Sequence, residues 1–540
     1  MHRVSRGGWL ALLLLVPCAV LLVEQIATLS FPIVGEHRWR QADVYSVAYN
    51  FVHEDPDFFH PRIDWTNGKS GIMGMEPPIL PYLIAGAMRV WGDDAAVGRC
   101  VAWALCMLGL LGFGAGLARE RSAAFGALIW LCLLSSPMGL FELRQIQPDA
   151  AMSLLAAAAA LLFVRASRSG RGRDYALALA LYTLAVLLKG PAIVLAPAML
   201  LFAISARPVR AWALVARGVG MLVPCLLLAG WLRWAGELNA TYSSGRNYFA
   251  LTPKPGELLH NLGDLPGLAH VVGELYPRYA TNVWLVPATA LGLIAAIAAI
   301  AALVRAGVAR PARPAVDPGA AAERTQRWVH AGFLLWLVAV TGFLAAFSSR
   351  LHAHWYYADL ALPALAYFTA HGLWLVLSVL LEPQPRARVL RYALVLAIAV
   401  AVPFAAREAL ARLGERSAAN EARDYRTRVI APLRAAVARY TTRADLITTN
   451  ARDPSSLHDA LRKGFTMSNQ GIAKHRLAFF AKRHAVIYVH FGGPGQLPPE
   501  IRRNDSRYPL LLKRRSFRIY CLHTTCPELP AQLQRVPAGA

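Results

Sequence analysis

The 540 residues are 56% hydrophobic and only 16% charged, against roughly 25% charged in a soluble globular protein, and the mean hydropathy is +0.39. Apolar residues in this number, arranged in long runs, exclude a soluble enzyme, a disordered chain and a disulfide-rich secreted module. The formal charge of +24 does not point to nucleic acid, because Lys and Arg sit in short segments between the apolar runs, the arrangement that orients a membrane protein.

Crossing the hydrocarbon takes about 20 apolar residues. Hydropathy predicts spans near 9–30, 97–117, 122–139, 150–166, 174–190, 191–206, 211–232, 283–304, 329–348, 356–380 and 392–406. The first run is too long for the apolar region of a signal peptide and has no convincing small-residue cleavage site, so it is expected to be retained. Every second connection is rich in arginine: Arg3 and Arg6, then Arg119 and Arg121, Arg165 to Arg173, Arg207 and Arg210, Arg305 to Arg327, and Arg386 to Arg391. These connections are therefore expected to face the cytoplasm. The predicted fold is mainly α, a polytopic bundle of about eleven spans with the N-terminus inside, the C-terminus outside and a small extracytoplasmic α/β domain at the end. The division expected is a membrane domain, 1–406, carrying a large first outer loop at 31–96, and a C-terminal domain, 407–540.

The first outer loop holds far more chemistry than a connector needs. It opens Gly35-Glu36-His37-Arg38-Trp39-Arg40-Gln41-Ala42-Asp43, after which apolar residues at 44, 47, 48 and 51 follow helical spacing. That spacing places Asp43 at the N-terminal end of an amphipathic helix, where an aspartate is commonly a cap. Beside Glu36, Arg38 and Arg40 at the mouth of a bundle, it reads instead as an active-site carboxylate. Next come Asp57-Phe58-Phe59-His60-Pro61 and Met75-Glu76-Pro77-Pro78, with Glu76 before two stiffening prolines. The apolar stretch from Pro77 to Trp91 is expected to lie at the membrane interface.

Later outward turns add charge at the boundary. Glu142 to Asp149 (ELRQIQPD) puts Arg144 and Asp149 at the start of a span, and Lys189-Gly190-Pro191 punctuates two apolar runs. Ionisable residues at such positions are functional candidates, with a snorkelling lysine as the ordinary alternative for Lys189. The last turn reads Ser348-Ser349-Arg350-Leu351-His352-Ala353-His354-Trp355-Tyr356-Tyr357, followed by Ala358 to Pro363. Its aromatic residues suit an interfacial belt. His352 and His354 with Arg350 exceed that need and suggest phosphate binding or, with Glu76, a divalent-metal site.

The tail from 407 carries 24 Lys and Arg against 10 Asp and Glu, a net +14. This charge either attracts anionic lipid headgroups or makes an ordinary solvated surface. Strand-like runs at 444–449 and 484–491 and helix-like stretches around 455–463 and 474–483 predict a compact α/β unit. Cys521 and Cys526 can bridge in an oxidising compartment. No phosphate-cradling Gly-x-x-x-x-Gly-Lys-Ser/Thr run and no Gly-x-Ser-x-Gly occurs in the sequence.

Taken in order, Arg38 to Asp43, Asp57 to Pro61 with Glu76-Pro77, Arg144 to Asp149, Lys189 to Pro191 and His352 to Pro363 resemble the membrane glycosyltransferases of the GT-C type. More narrowly the chain looks like the protein O-mannosyltransferases and lipid A aminoarabinose transferases. The resemblance implies a bacterial inner-membrane enzyme that moves a sugar from a polyprenyl-phosphate carrier to an extracytoplasmic acceptor (lipid A, a glycan or a protein), with inversion. It implies a catalytic base in the first outer loop, at Asp43 or Glu36, with Asp149 as a further candidate. The lipid phosphate then falls to cations among Arg38, Arg40, Arg144, Lys189, Arg350, His352 and His354, with Glu76 and Tyr356 at the same site. Pro77 stands where aminoarabinose transferases carry a lysine after the glutamate. The expected partners are membrane lipid, a lipid-linked sugar donor and an acceptor, with no nucleic acid. A flippase of lipid-linked saccharides is the alternative, but it predicts mid-span charges and repeat symmetry that the sequence lacks.

Overall fold

Long apolar runs satisfy their own backbone hydrogen bonds as helices, the form a membrane requires. The computed structural model describes residues 6–205, 211–242, 265–309, 318–347, 354–380, 424–451, 454–503 and 507–522, with short runs between 393 and 407. Among these, six helices are long and apolar enough to cross a membrane: Gly8–Ala27, Ala95–Glu120, Asp149–Ser169, Leu214–Tyr242, Glu323–Ala346 and Trp355–Ser378. Shorter apolar helices occupy Ile79–Trp91, Ala123–Ser135, Gly190–Ile204 and Val286–Ala302.

The eleven predicted spans do not map one to one onto helices. The run at 122–139 breaks at Ser136, whose hydroxyl caps a new helix from Pro137 by accepting from the Gly139 amide. Between the runs predicted at 174–190 and 191–206, Lys189 ends the Gly172–Leu188 helix in extended backbone before a 3₁₀ turn at Gly190–Leu195. The last predicted span, 392–406, lies partly outside the described residues.

The chain divides into two compact units, each assembled from separated stretches. One comprises 1–29, 99–232 and 251–415. Small residues set its helix packing, as is usual in membranes. A Cβ at Gly292 would strike the Phe368 carbonyl, and one at Gly372 the Ala288 carbonyl, so the Val286–Ala309 and Leu362–Leu380 helices cross with backbones in contact. Phe333 stacks on Tyr367 with centroids 4.2 Å apart, and the buried Trp336 indole donates to the Leu360 carbonyl at 2.7 Å.

The other unit comprises 30–98, 233–250 and 416–540. It joins the first outer loop to a five-stranded sheet: β1 (Leu446–Thr449), β2 (Gly464–Thr466), β3 (Ala485–Phe491), β4 (Leu510–Lys513) and β5 (Phe517–Cys521), in the order β2-β1-β3-β5-β4. β1 runs parallel to β2 and β3, whereas β5 is antiparallel to β3 and β4. Side chains alternate across a strand. Ile487, Val489, Phe517 and Ile519 face one core with Leu433 and Val437, while Tyr488 and Tyr520 face another with Phe465 and Phe480. Trp65 of the first loop packs against the former core. The two predicted strands are β1 and β3; β2, three residues long, and the β4–β5 pair were not legible. Cys521, at the end of β5, is disulfide-bonded, and Cys526 lies outside the described residues.

Candidate active site

In the first outer loop the helix runs Arg38–His53 and starts five residues earlier than the apolar spacing predicts. His37 turns the chain into it with φ 55° and contributes no side-chain cap. Asp43 is therefore no N-cap: it is the sixth residue of the helix and is buried. Arg40 and Asp43, three apart, share a face, and the buried Arg40 guanidinium pairs with the Glu76 carboxylate.

Glu76 is placed by its own segment. Gly74 exchanges two hydrogen bonds with Asn239, its amide donating to Oδ1 and its carbonyl accepting from Nδ2, both at 2.9 Å. Only a glycine fits there, since a Cβ would meet the Ala235 carbonyl oxygen. Two residues on, the Pro77-Pro78 pair stiffens the entry to the Ile79–Trp91 helix. That helix buries Leu80, Ile84 and Met88 and leaves Tyr82, Leu83, Val90 and Trp91 exposed, the pattern of a helix lying in an interface.

The remaining first-loop candidates separate. Glu36 is exposed, and its backbone carbonyl accepts from the Gln41 side-chain Nε2. Arg38 reaches the C-terminal domain, donating to Asp459 and to the Tyr425 hydroxyl, each at 3.1 Å. Asp64, not singled out from the sequence, lies buried within electrostatic reach of Asp43 and accepts from Asn50 at 3.2 Å. Burial is the main reason that its carboxyl is pushed up to about 7.

In the helical unit, Lys189 and Asp149 form a buried pair, Nζ to Oδ1 3.6 Å. The ammonium sits 5.6 Å from the ring centres of both Tyr356 and Tyr357, within cation–π range. His354 precedes the 3₁₀ turn carrying these tyrosines, and its Nδ1 lies 3.1 Å from the Tyr356 hydroxyl. Arg144 bonds the Thr28 hydroxyl and faces the Phe141 ring at 5.9 Å. The turn bearing it is held by Arg99, which is buried and donates to the Arg144 carbonyl at 3.2 Å and to Gln145 Oε1 at 2.9 Å. Arg350 and His352 lie outside the described residues.

Two further carboxylates here, Glu142 and Asp359, were not chosen from the sequence. Asp359 is fully buried, its carbonyl accepts from Ser153 at 2.5 Å, and Glu142 and Asp149 lie within electrostatic reach of its carboxyl. A carboxylate inside an otherwise apolar 355–378 run was a legible signal. As for a metal, Glu76 is engaged by Arg40 and His354 by Tyr356. Among the described residues no group of three or more His, Cys, Asp or Glu is placed to hold one.

Comparison with known proteins gives the class. Residues 75–234 match the family described as dolichyl-phosphate-mannose-protein mannosyltransferase. ArnT from Cupriavidus metallidurans, solved bound to undecaprenyl phosphate, is similar in structure over 97% of this chain and 100% of its own, with TM-score 0.56 and 15% identity. Its apo form gives 0.57 at 14% identity, over 95% and 98% of the two chains. The apo oligosaccharyltransferase of Archaeoglobus fulgidus gives 0.53 at 14% identity, over 91% of this chain and 70% of that one. No curated protein matches the chain. The fold is thus the GT-C fold of membrane glycosyltransferases, as the order of motifs implied, and the chain is a multi-pass membrane protein.

Proposed function

We propose that the protein is an inverting glycosyltransferase of the bacterial inner membrane. It takes a sugar from a polyprenyl-phosphate carrier and passes it, on the periplasmic face, to a lipid A, glycan or protein acceptor. The observation that carries this reading is the whole-length likeness to a structure that holds undecaprenyl phosphate. The residues are chemically sufficient. Asp43, buried on the helix that also presents Arg40, is assigned as the base. It accepts the acceptor hydroxyl's proton as that oxygen attacks the anomeric carbon. The bond from that carbon to the phosphate oxygen breaks in the same step, and the polyprenyl phosphate leaves with the electron pair.

The negative charge developing on the phosphate is assigned to Lys189, supported by Tyr356 and Arg144. Cations fixed before reaction stabilise such charge without reorganising. Arg40 pairs with Glu76, and Pro77 follows that glutamate where aminoarabinose transferases carry a lysine. Asp149 holds the Lys189 ammonium in place.

The test is release or transfer of sugar from polyprenyl phosphates bearing different radiolabelled sugars, by purified protein in lipid, with and without a chelator. Release of one preferred label is expected. Tight donor binding with no release of any label would overturn the reading in favour of transport. Loss of release in chelator would make the reaction metal-dependent.

A further inference from the structure

The helix bearing Arg40 and Asp43 begins badly on its own terms. Its first turn carries Arg38 and Arg40 and no acidic residue, and its N-cap residue, His37, supplies no side-chain cap. Positive charge at the N-terminal end of a helix opposes the macrodipole, and uncapped amides there want an anion. The missing anion comes from the C-terminal domain. Asp459, nearly fully buried, accepts from Arg38 at 3.1 Å and from the Tyr425 hydroxyl at 2.6 Å. Tyr425 also lies under the Arg38 guanidinium, 5.3 Å from ring centre to Cζ. Arg434 in turn fixes the Asp459 backbone, Nε to carbonyl 3.1 Å.

We infer that Asp459 is a positioning residue for transfer: through Arg38 it sets the start of the Arg38–His53 helix and thereby the place of Arg40 and Asp43. This rests on the reading of Asp43 as the base. The domain grips the same helix beyond its first turn. His458 stands edge-on to Tyr45 with ring centres 4.7 Å apart, and Lys463 pairs with Glu54 just past the helix end. Nothing but the placing of this helix calls for a buried carboxylate paired to its first residue.

The test is Asp459→Asn in the full-length protein in lipid, read two ways. Steady-state transfer should show kcat lowered about 10- to 100-fold, the scale of a misplaced reacting group, with the donor KM within about twofold. Amide hydrogen exchange should rise at 38–45 and stay unchanged in β1 and β3. Unaltered kcat together with unaltered exchange at 38–45 would overturn the proposal, as would a rise in exchange spread through the whole sheet. If the wild type transfers no sugar, the proposed function fails while the exchange pattern still decides the positioning. Should Asp459→Asn not accumulate, Tyr425→Phe, which removes one of the two partners, is expected to shift kcat and exchange in the same directions by less. No shift in either would sink the idea.

Discussion

Asp64 and His458, both buried in the unit that carries the first outer loop, titrate in opposite senses. Asp64 keeps its proton up to about 7 in the fold, chiefly because burial disfavours the carboxylate, against an ordinary 3.8. Its contribution to stability is full below about 4 and is lost as pH rises through 7. His458 is pushed down to about 3, first by burial and then by Arg434 and Arg38, from 6.5. The unfolded chain takes that proton below 6.5 and the folded one does not, so stability falls as pH drops from 6.5 toward 3. Asp64→Asn should therefore raise thermal stability at pH 8 and change it little at pH 4, as melting curves in lipid will show. A larger gain at pH 4 than at pH 8 would contradict the burial argument. The Lys189–Asp149 pair yields a prediction of another kind. Removing one member of a buried pair leaves an uncompensated charge and costs about 3–5 kcal/mol. Lys189→Met should accumulate poorly, and Lys189→Met with Asp149→Asn should recover abundance without recovering donor binding. If the double variant binds donor like wild type, Lys189 has no role at the phosphate.

At the scale of elements, the segment before Glu76 is the one most tightly specified. Asn239→Ala strands the amide and the carbonyl of Gly74, and each buried unsatisfied group costs about 1–3 kcal/mol. A lower melting temperature and weaker transfer are expected together; unchanged transfer would mean that Glu76 does not depend on this anchor. The apolar runs were legible because hydrocarbon selects for them, and so were Arg40, Glu76, Asp149 and Lys189, charged residues at the edges of such runs. What could not be read was the start of the Arg38–His53 helix. Its first turn carries no local stop or start signal: His37 reaches the left-handed region without a cap, and the balancing anion, Asp459, lies 421 residues away. The helix break at Ser136 escaped a hydropathy reading because it falls inside a continuous apolar stretch, whereas Lys189-Gly190-Pro191 marked a break between two runs. β4 and β5 were missed because they are short and basic residues interrupt the run, Lys513 at the end of β4, Arg514 and Arg515 after it and Arg518 within β5.

For the molecule as a whole, the two compact units are stitched from stretches far apart in sequence. The first outer loop shares its unit with the C-terminal sheet, its Trp65 lying on the sheet's core and its Asp64 carbonyl accepting from the Gly464 amide at 3.0 Å. This sharing is what underlies the positioning role proposed for Asp459, where the sequence alone left the tail's charge as either lipid-attracting or an ordinary solvated surface. The account as a whole depends on Asp43, the buried carboxylate in the first half of that loop's helix. The most direct test compares wild type with Asp43→Asn for transfer of radiolabelled sugar from polyprenyl phosphate by purified protein in lipid. Loss of a general base costs about 10²- to 10⁴-fold. Asp43→Asn is predicted to insert and accumulate like wild type, to bind donor within about twofold, and to transfer at least 100-fold more slowly. Wild-type turnover by Asp43→Asn would contradict the account.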